Sequence, residues 1–420
     1  MHLGVDSFVS AVTDPGSGRL IGPEERMEHL LEEIELADRS GLYSFGIGEH
    51  HRPEYYDSAP PVILAAAAAR TSRIRLGSAV AVLSAADPVR VFQQFATLDL
   101  ISKGRIDLVV GRGSFTEAFP LFGLSLADYD ELFAEKLDLL LRIRDSERVT
   151  WSGRHRPPLT GQGVYPRPLQ DPLPIWVGVG GTPESFVRAG LLGLPLMVAI
   201  IGGEPRQFAP LIDLYRRAGA QAGHPPERLQ VGLHVFGFVA GSTQAAADTI
   251  YPGWHEMFEK VSRERGFSPP SRAQFDATSG PDGAFFMGDP DTVAEKLVRI
   301  AGQLGGVDRV AIQMTNPRLA HADLLRGIDP AVTRANLSGI LDAARRAEVP
   351  ALLVGLNAPP NYGGAYRNAF NAMFPELGAA YDVPVIPSML GAIVAAGDPL
   401  SLMQHDGIHP NADGVRLVVN

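Results

Sequence analysis

The 420-residue chain contains no cysteine. Disulfides, thiolate metal sites and cysteine nucleophiles are therefore excluded, and a reducing cytoplasm is the expected compartment. There is no excess of positive charge: 37 Lys and Arg stand against 47 Asp and Glu, a net −10. Nucleic acid and anionic membrane surfaces are thus not expected partners. The longest apolar runs, such as Val62–Ala69, are far too short to span a bilayer. The amino terminus, MHLGVDSF, lacks a basic stretch followed by an apolar one, so no signal peptide is expected. No metal site is read from the sequence.

What is present is an ordinary globular composition, 45% hydrophobic and 20% charged, with enough length for a large core and a second unit. Eight short runs rich in Val, Ile and Leu recur at Leu3–Phe8, Tyr43–Glu49, Ile74–Leu83, Arg105–Gly111, Pro174–Val179, Leu194–Ile201, Leu229–Val239 and Arg309–Met314. Most lack in/out alternation, which predicts parallel strands buried on both faces. Helical patterns lie between them: one opens at Gly22-Pro23 and ends before Gly41, one follows Asp87-Pro88, and one covers Leu126–Arg144. Eight strand–helix units in about 320 residues predict an α/β protein, a (β/α)8 TIM barrel with insertions. A doubly wound open sheet is the competitor. It would carry a glycine-rich dinucleotide fingerprint after the first strand, and Val5-Asp6-Ser7-Phe8 is not one. Residues 145–172 and 266–288, rich in Pro and Gly, read as loops near the barrel mouth.

Glu49-His50-His51 ends the second run. Three ionisable residues at the carboxyl end of a buried strand are costly as core, and they sit where parallel α/β proteins place chemistry. The plainer reading is that Glu49 and His50 cap the strand and pair with Arg52. Arg112 lies between Gly111 and Gly113; flanking glycines admit a ligand close to the backbone, and a guanidinium suits a phosphate. A rim salt bridge is the alternative. Gly180-Gly181-Thr182 opens a helix after the fifth strand, where backbone N–H groups and the Thr182 and Ser185 hydroxyls would suit a phosphate, or would merely cap the helix. His234, Gln313, His155 and Arg156 are weaker candidates, the last two as gates to a substrate site.

Residues 1 to about 325 resemble the bacterial luciferase-like flavin-dependent monooxygenases. The resemblance is carried, in the family's order, by GIGEHHRPEYYDSAP, IRLGSAVAVLSAADPVRVFQQFATLD, SKGRIDLVVGRGSF and VGVGGTPESFVRAG. It implies a barrel that binds reduced FMN, supplied by a flavin reductase, and uses oxygen to oxidise a small organic molecule, an aldehyde among the candidates. A deazaflavin is the less favoured cofactor. By the resemblance His50 is the catalytic histidine, Glu49 orients it or contacts the ring, and His51 lies behind. Ala79-Val80 matches a non-proline cis peptide under the flavin, and Arg112, Gly180, Gly181, Thr182 and Ser185 match the phosphate region. Some members carry a carboxylate where this chain has Gly181, which leaves a backbone contact there. A homodimer is compatible with this reading.

Residues 326–420 are similar to the carboxyl half of an SGNH (GDSL-like) hydrolase, a partial flavodoxin-like α/β fragment, through LLRGIDPAVTRANLSGIL, VPALLVGLNAPPNYGGAYRNAF and DGIHPNADGV. Helices are expected over Asn336–Glu348 and Tyr366–Tyr381, and strands over Ala351–Leu356 and Val383–Ile386. Residues 321–348 are the candidate for the barrel's eighth helix. The resemblance makes Asp406 and His409 the remnant of a hydrolase dyad. The serine block and the oxyanion blocks have no equivalent, so the dyad is read as vestigial. The rival functions are a serine esterase or thioesterase driven by this tail, and a flavin-binding protein without turnover.

Overall fold

The structure is a computed structural model that describes residues 1–14, 17–266, 268–319 and, beyond these, 334, 337–338, 341–342, 345–346, 351–355, 364–386, 388, 399–402 and 413. In chain order the elements are β1 (His2–Ser7), α1 (Pro23–Arg39), β2 (Ser44–Ile47), α2 (Pro60–Arg70), β3 (Arg75–Ser78), β4 (Ala81–Val82), α3 (Pro88–Ser102), β5 (Ile106–Gly111), α4 (Ala118–Leu121), α5 (Tyr129–Asp145), β6 (Arg148–Trp151), β7 (Leu159–Gly163), β8 (Ile175–Val179), α6 (Pro183–Leu191), β9 (Leu196–Ile200), α7 (Ala209–Gln221), β10 (Val231–Val239), α8 (Thr243–Arg265), α9 (Arg272–Ser279), β11 (Phe286–Gly288), α10 (Pro290–Gln303) and β12 (Arg309–Gln313). The carboxyl-terminal stretch adds β13 (Leu353–Val354), α11 (Gly364–Tyr381) and β14 (Val385–Ile386).

Eight of these strands close on themselves in the order β1-β2-β3-β5-β8-β9-β10-β12, with β12 hydrogen-bonded back to β1. Every pairing in the ring is parallel. This is the (β/α)8 barrel that the eight apolar runs predict. Strands such as β2 and β5 are buried at every residue, which explains their unbroken apolar character. Helices cover the outside with one apolar stripe each: α10 buries Val293, Leu297 and Ile300, and α1 buries Leu30, Ile34 and Ala37. Their starts are written locally, as where Asp87 accepts from the N–H groups of Val89 and Arg90 ahead of α3, with Pro88 at the first helical position.

Both segments expected to be loops contain regular structure. Within 145–172, β6 and β7 form an antiparallel hairpin with a register shift between Val149 and Thr150. Trp151 is buried there and donates from its indole to Asp138 (2.8 Å). Within 266–288, Ser271 and Gln274 make a capping box for α9, and β11 pairs with β10. Proline and glycine density hid these elements, because it marks their turns as strongly as it marks a true loop.

Lys296 of α10 is buried beneath the second of these segments. Its ammonium donates to the carbonyls of Gly280 (2.6 Å), Ser279 (3.3 Å) and Phe285. Burial pushes it down from 10.5 to about 8. The unfolded chain therefore holds this proton more tightly than the folded one between about pH 8 and 10.5. Stability from this group rises with pH across that window, and below it the burial cost is complete. Against a Lys296→Met variant, the wild type is expected to gain about 2 kcal/mol between pH 8 and 10 in urea unfolding.

The chain divides into two compact units, Met1–Leu325 and Arg326–Asn420. In the second, α11 and the β13–β14 parallel pair match the predicted helix and two strands, while Asn336–Glu348, residues 321–348 as an eighth helix, and Asp406 and His409 fall wholly or mostly outside the described residues. Among the described residues its apolar cluster is Leu341, Leu353, Met373, Phe374 and Leu377. Among the described residues, a sheet of two two-residue strands over this cluster is marginal. Amide protons of 370–381 are expected to exchange well before those of β5 or β10 in native-state hydrogen exchange. Equal protection would contradict this.

Candidate active site

A cavity of about 450 Å³ opens at the carboxyl ends of the barrel strands. Glu49, His50 and His51 all line it. The partner of His50 is not Glu49 but Asp57, seven residues on in the same loop. Asp57 Oδ2 lies 2.8 Å from His50 Nδ1, and Oδ1 accepts from the His50 backbone N–H (3.1 Å). A carboxylate only accepts, so it holds the proton on Nδ1 and leaves Nε2 with its lone pair. Burial pushes the Asp57 carboxyl up, against the lowering effect of its bonds to His50. Glu49 instead faces His51 Nε2 (3.3 Å) and accepts from the Val82 N–H (2.9 Å), tying the second strand end to β4.

Aromatic rings wall His50 in. Phe8, Tyr55 and Phe115 have centroids 4.4, 4.5 and 5.3 Å from it. Burial raises the Tyr55 hydroxyl to about 12, so it remains a protonated donor beside the imidazole. Arg52 does not pair with Glu49 or His50. Its guanidinium joins Glu54 (3.1 Å), Glu117 (2.5 Å) and Glu264 (2.7 Å) and lies over the Phe115 ring, so three segments around the mouth share one cation. Burial alone would lower Arg52; Glu264 and Glu117 outweigh it and hold it above its usual value.

The Ala79–Val80 peptide is cis, and both residues line the cavity. The Val80 side chain nests between two backbones. A Cβ on Gly111 would come within 2.6 Å of it, and one on Gly178 within 2.7 Å. Arg112, at the end of β5, reaches across to β8: its Nη2 donates to Thr182 Oγ1 (3.2 Å). It also pairs with Asp130 and lies over the Tyr129 ring. The Asp130 side chain is 73% exposed, so that ion pair is screened and easily exchanged. Gly180 lines the cavity; Gly181, Thr182 and Ser185 lie past its wall at the start of α6. A Cβ on Gly180 or Gly181 would meet nothing within 4 Å, and Thr182 makes no side-chain cap to α6. A sterically open glycine backbone at a helix start, a hydroxyl and a guanidinium thus lie at one corner, a set that fits a phosphate.

Of the remaining candidates, His234 and Gln313 line the cavity. His155 and Arg156 do not. His155 sits against Glu131 and Glu135, and Arg156 bonds Asp87 (2.7 Å), so the β6–β7 hairpin uses them to hold itself to α5 and α3. Asp57, Asp6, Tyr55 and Phe8 were absent from the sequence-derived set. Asp57 was reachable, since it is the one aspartate in the EHHRPEYYDSAP loop. Asp6 was not, because its partner lies 228 residues away.

The family model described as Luciferase-like monooxygenase matches residues 5–308, and that described as GDSL-like Lipase/Acylhydrolase family matches residues 319–417. The chain is 31% identical over 237 residues to 4-hydroxyprotoasukamycin monooxygenase of Streptomyces nodosus subsp. asukaensis, 53% of this chain and 62% of that protein. Its tail is 38% identical over 102 residues to thioesterase 1/protease 1/lysophospholipase L1 of Escherichia coli (strain K12), 24% of this chain and 48% of that one. Proteins named F420-dependent glucose-6-phosphate dehydrogenase also match. Among solved structures, monooxygenase RslO1 from Streptomyces bottropensis superposes with a TM-score of 0.67 at 26% identity, covering 78% of this chain and 96% of that one. The chain spans 45% to 62% of the length of the first curated relatives it matches. No helix among the described residues is long and apolar enough to cross a membrane. A luciferase-like barrel is joined here to a GDSL-like fragment, and the chain belongs to the luciferase-like monooxygenase family.

Proposed function

We propose that this protein is a flavin-dependent monooxygenase that takes reduced FMN from a separate reductase and oxidises a small organic substrate. The observation that carries the proposal is the Asp57-held His50, facing a cavity that ends in the Arg112–Thr182 corner. When bound, reduced FMN supplies the redox chemistry by which oxygen is activated. Arg112, Thr182 and the open start of α6 hold its phosphate. Val80, fixed between Gly111 and Gly178, gives the ring a firm wall. His50 exchanges a proton at Nε2 while Asp57 keeps the ring oriented, and Tyr55 donates beside it. Met257, Phe258 and Val261 of α8 line the cavity and exclude water from it. The carboxyl-terminal unit supplies no acyl-transfer chemistry, because the sequence has no serine block to accompany Asp406 and His409.

Removing Arg112 is the test. FMN fluorescence titration of Arg112→Ala is expected to show affinity about tenfold to thirtyfold weaker than wild type, the effect of losing one charge-assisted contact. Unchanged affinity would remove the phosphate from this corner. The F420-dependent relatives support a deazaflavin as the competing ligand, so the same titration is run with F420. Tighter binding of F420 than of FMN would move the cofactor assignment to the deazaflavin.

A further inference from the structure

TIM barrels fill their axis with layers of bulky branched side chains. This one does not. The cavity that touches Arg112 and Gly180 at the strand ends also touches Ser44, Asp107 and Arg309, at or near the starts of their strands. It therefore runs down the barrel axis by roughly 10 Å, four residues of tilted strand. Between mouth and floor small residues, Gly46, Gly178, Ala199 and Ala311, alternate in its walls with larger ones such as Val109, Met197 and Phe236. The floor is closed by Asp107, which Arg309 (2.6 Å) and Arg75 (2.7 Å) both grip, with Arg309 laid over the Trp176 ring.

One polar pair stands in this hollow. His234 Nδ1 lies 2.7 Å from Asp6 Oδ2, and both residues are buried. They belong to β10 and β1, with β12 between them. Ala311 is the β12 residue in register with His234, and its small side chain lets the two meet across the strand. Gly46 makes room for Asp6 in the same way, since a Cβ there would lie 2.1 Å from Asp6 Oδ1. Asp6 holds the proton on Nδ1, so Nε2 is an acceptor, and among the described residues it has no protein partner. Phe8 stands beside both imidazoles, stacked on His234 (5.7 Å, 9°) and tilted against His50. A buried polar couple costs more to place than apolar side chains of the same volume, so a purely structural origin leaves its place beside a cavity unexplained.

We propose that the axial hollow is the substrate compartment, and that Asp6–His234 is the positioning pair that receives the hydroxyl of a phenol-type substrate there. This rests on the flavin reading for what happens next, but the binding step stands without it. Phe8, Phe236 and Met197 offer an apolar frame for a ring. His234 Nε2 offers an acceptor beside that frame. The hydroxyl proton passes to Nε2, Asp6 keeps its negative charge beside the imidazolium, and the phenolate remains in the hollow.

Para-nitrophenol is the probe, because its phenolate absorbs in the visible. It is titrated, with and without FMN, into the full chain, into Ala311→Leu and into Asp6→Asn, with FMN affinity measured on each. Wild type is expected to bind the probe with its phenolate band enhanced. Ala311→Leu is expected to weaken the probe by more than about tenfold, from overpacking of the hollow, with FMN affinity held within about twofold. Asp6→Asn is expected to lose the phenolate enhancement, which a merely structural pair would not govern. No probe binding by wild type, equal binding by Ala311→Leu, or joint loss of probe and FMN would overturn the compartment. If Ala311→Leu does not fold, Asp6→Asn decides through the band alone. A wild type that binds the probe but no FMN would defeat the flavin reading and leave the compartment intact.

Discussion

Turnover by an Asp57→Asn variant is expected to fall about a thousandfold while FMN affinity stays near wild type. Asp57 accepts from His50 at both the backbone N–H and Nδ1. An amide can present its NH2 to Nδ1, which moves the imidazole proton to Nε2 and turns the reactive nitrogen from acceptor to donor. Loss of a correctly poised general base costs about 10²–10⁴ in rate, and a wrong tautomer falls within that range. Asp57 does not approach the Arg112–Thr182 corner, so cofactor binding is a built-in control. The readout is reductase-coupled oxygen uptake in the presence of substrate beside an FMN titration. A rate within about threefold of wild type would leave His50 without a role in proton transfer, since that is less than any general-base effect.

The second large effect is expected from Gly111→Val. The glycine lets β5 run directly beneath Val80: even a Cβ would sit 2.6 Å from Val80 Cγ2, and valine adds two more carbons. Val80 has Gly178 on its other side at similarly close range, so it cannot retreat without entering the cavity. Overpacking of this kind costs about 1–3 kcal/mol. Directed into a binding wall, the upper end corresponds to roughly a hundredfold weaker FMN binding. Circular dichroism should show the barrel folded, because Gly111 is the last residue of β5 and the clash falls on one side chain, Val80. If FMN binds such a folded variant as it binds the wild type, Val80 is not part of the flavin wall.

The barrel was legible because its strands are buried on both faces, and continuous Val/Ile/Leu runs of that length have few other uses. The hairpin of Arg148–Gly163 was not, since its exposed, alternating strands are short and punctuated by proline and glycine. Around the site, legibility followed sequence distance. Glu49, His50 and His51 announced themselves as a cluster at one strand end, and Arg112 as a guanidinium between glycines. That Glu49 serves the β4 backbone while Asp57 serves His50 depends on how the loop folds back, which spacing alone does not encode. Arg112 meets Thr182, 70 residues on, because β5 pairs with β8, and Asp6 meets His234, 228 apart, only because the ring closes through β12. The hollow axis was foreshadowed by Gly46, Gly178, Ala199 and Ala311, but small residues in strands carry no sign of facing one another until register is known.

The central claim is that one cavity seats a phosphate-tailed flavin within reach of an imidazole held by Asp57. A crystal structure of the full chain grown with FMN tests it most directly. The phosphate should lie against Arg112, Thr182 and the start of α6, with the ring on Val80 and His50 Nε2 turned toward it. An FMN bound elsewhere, or a His50 rotated away from the ring with Asp57 still attached, would contradict the account.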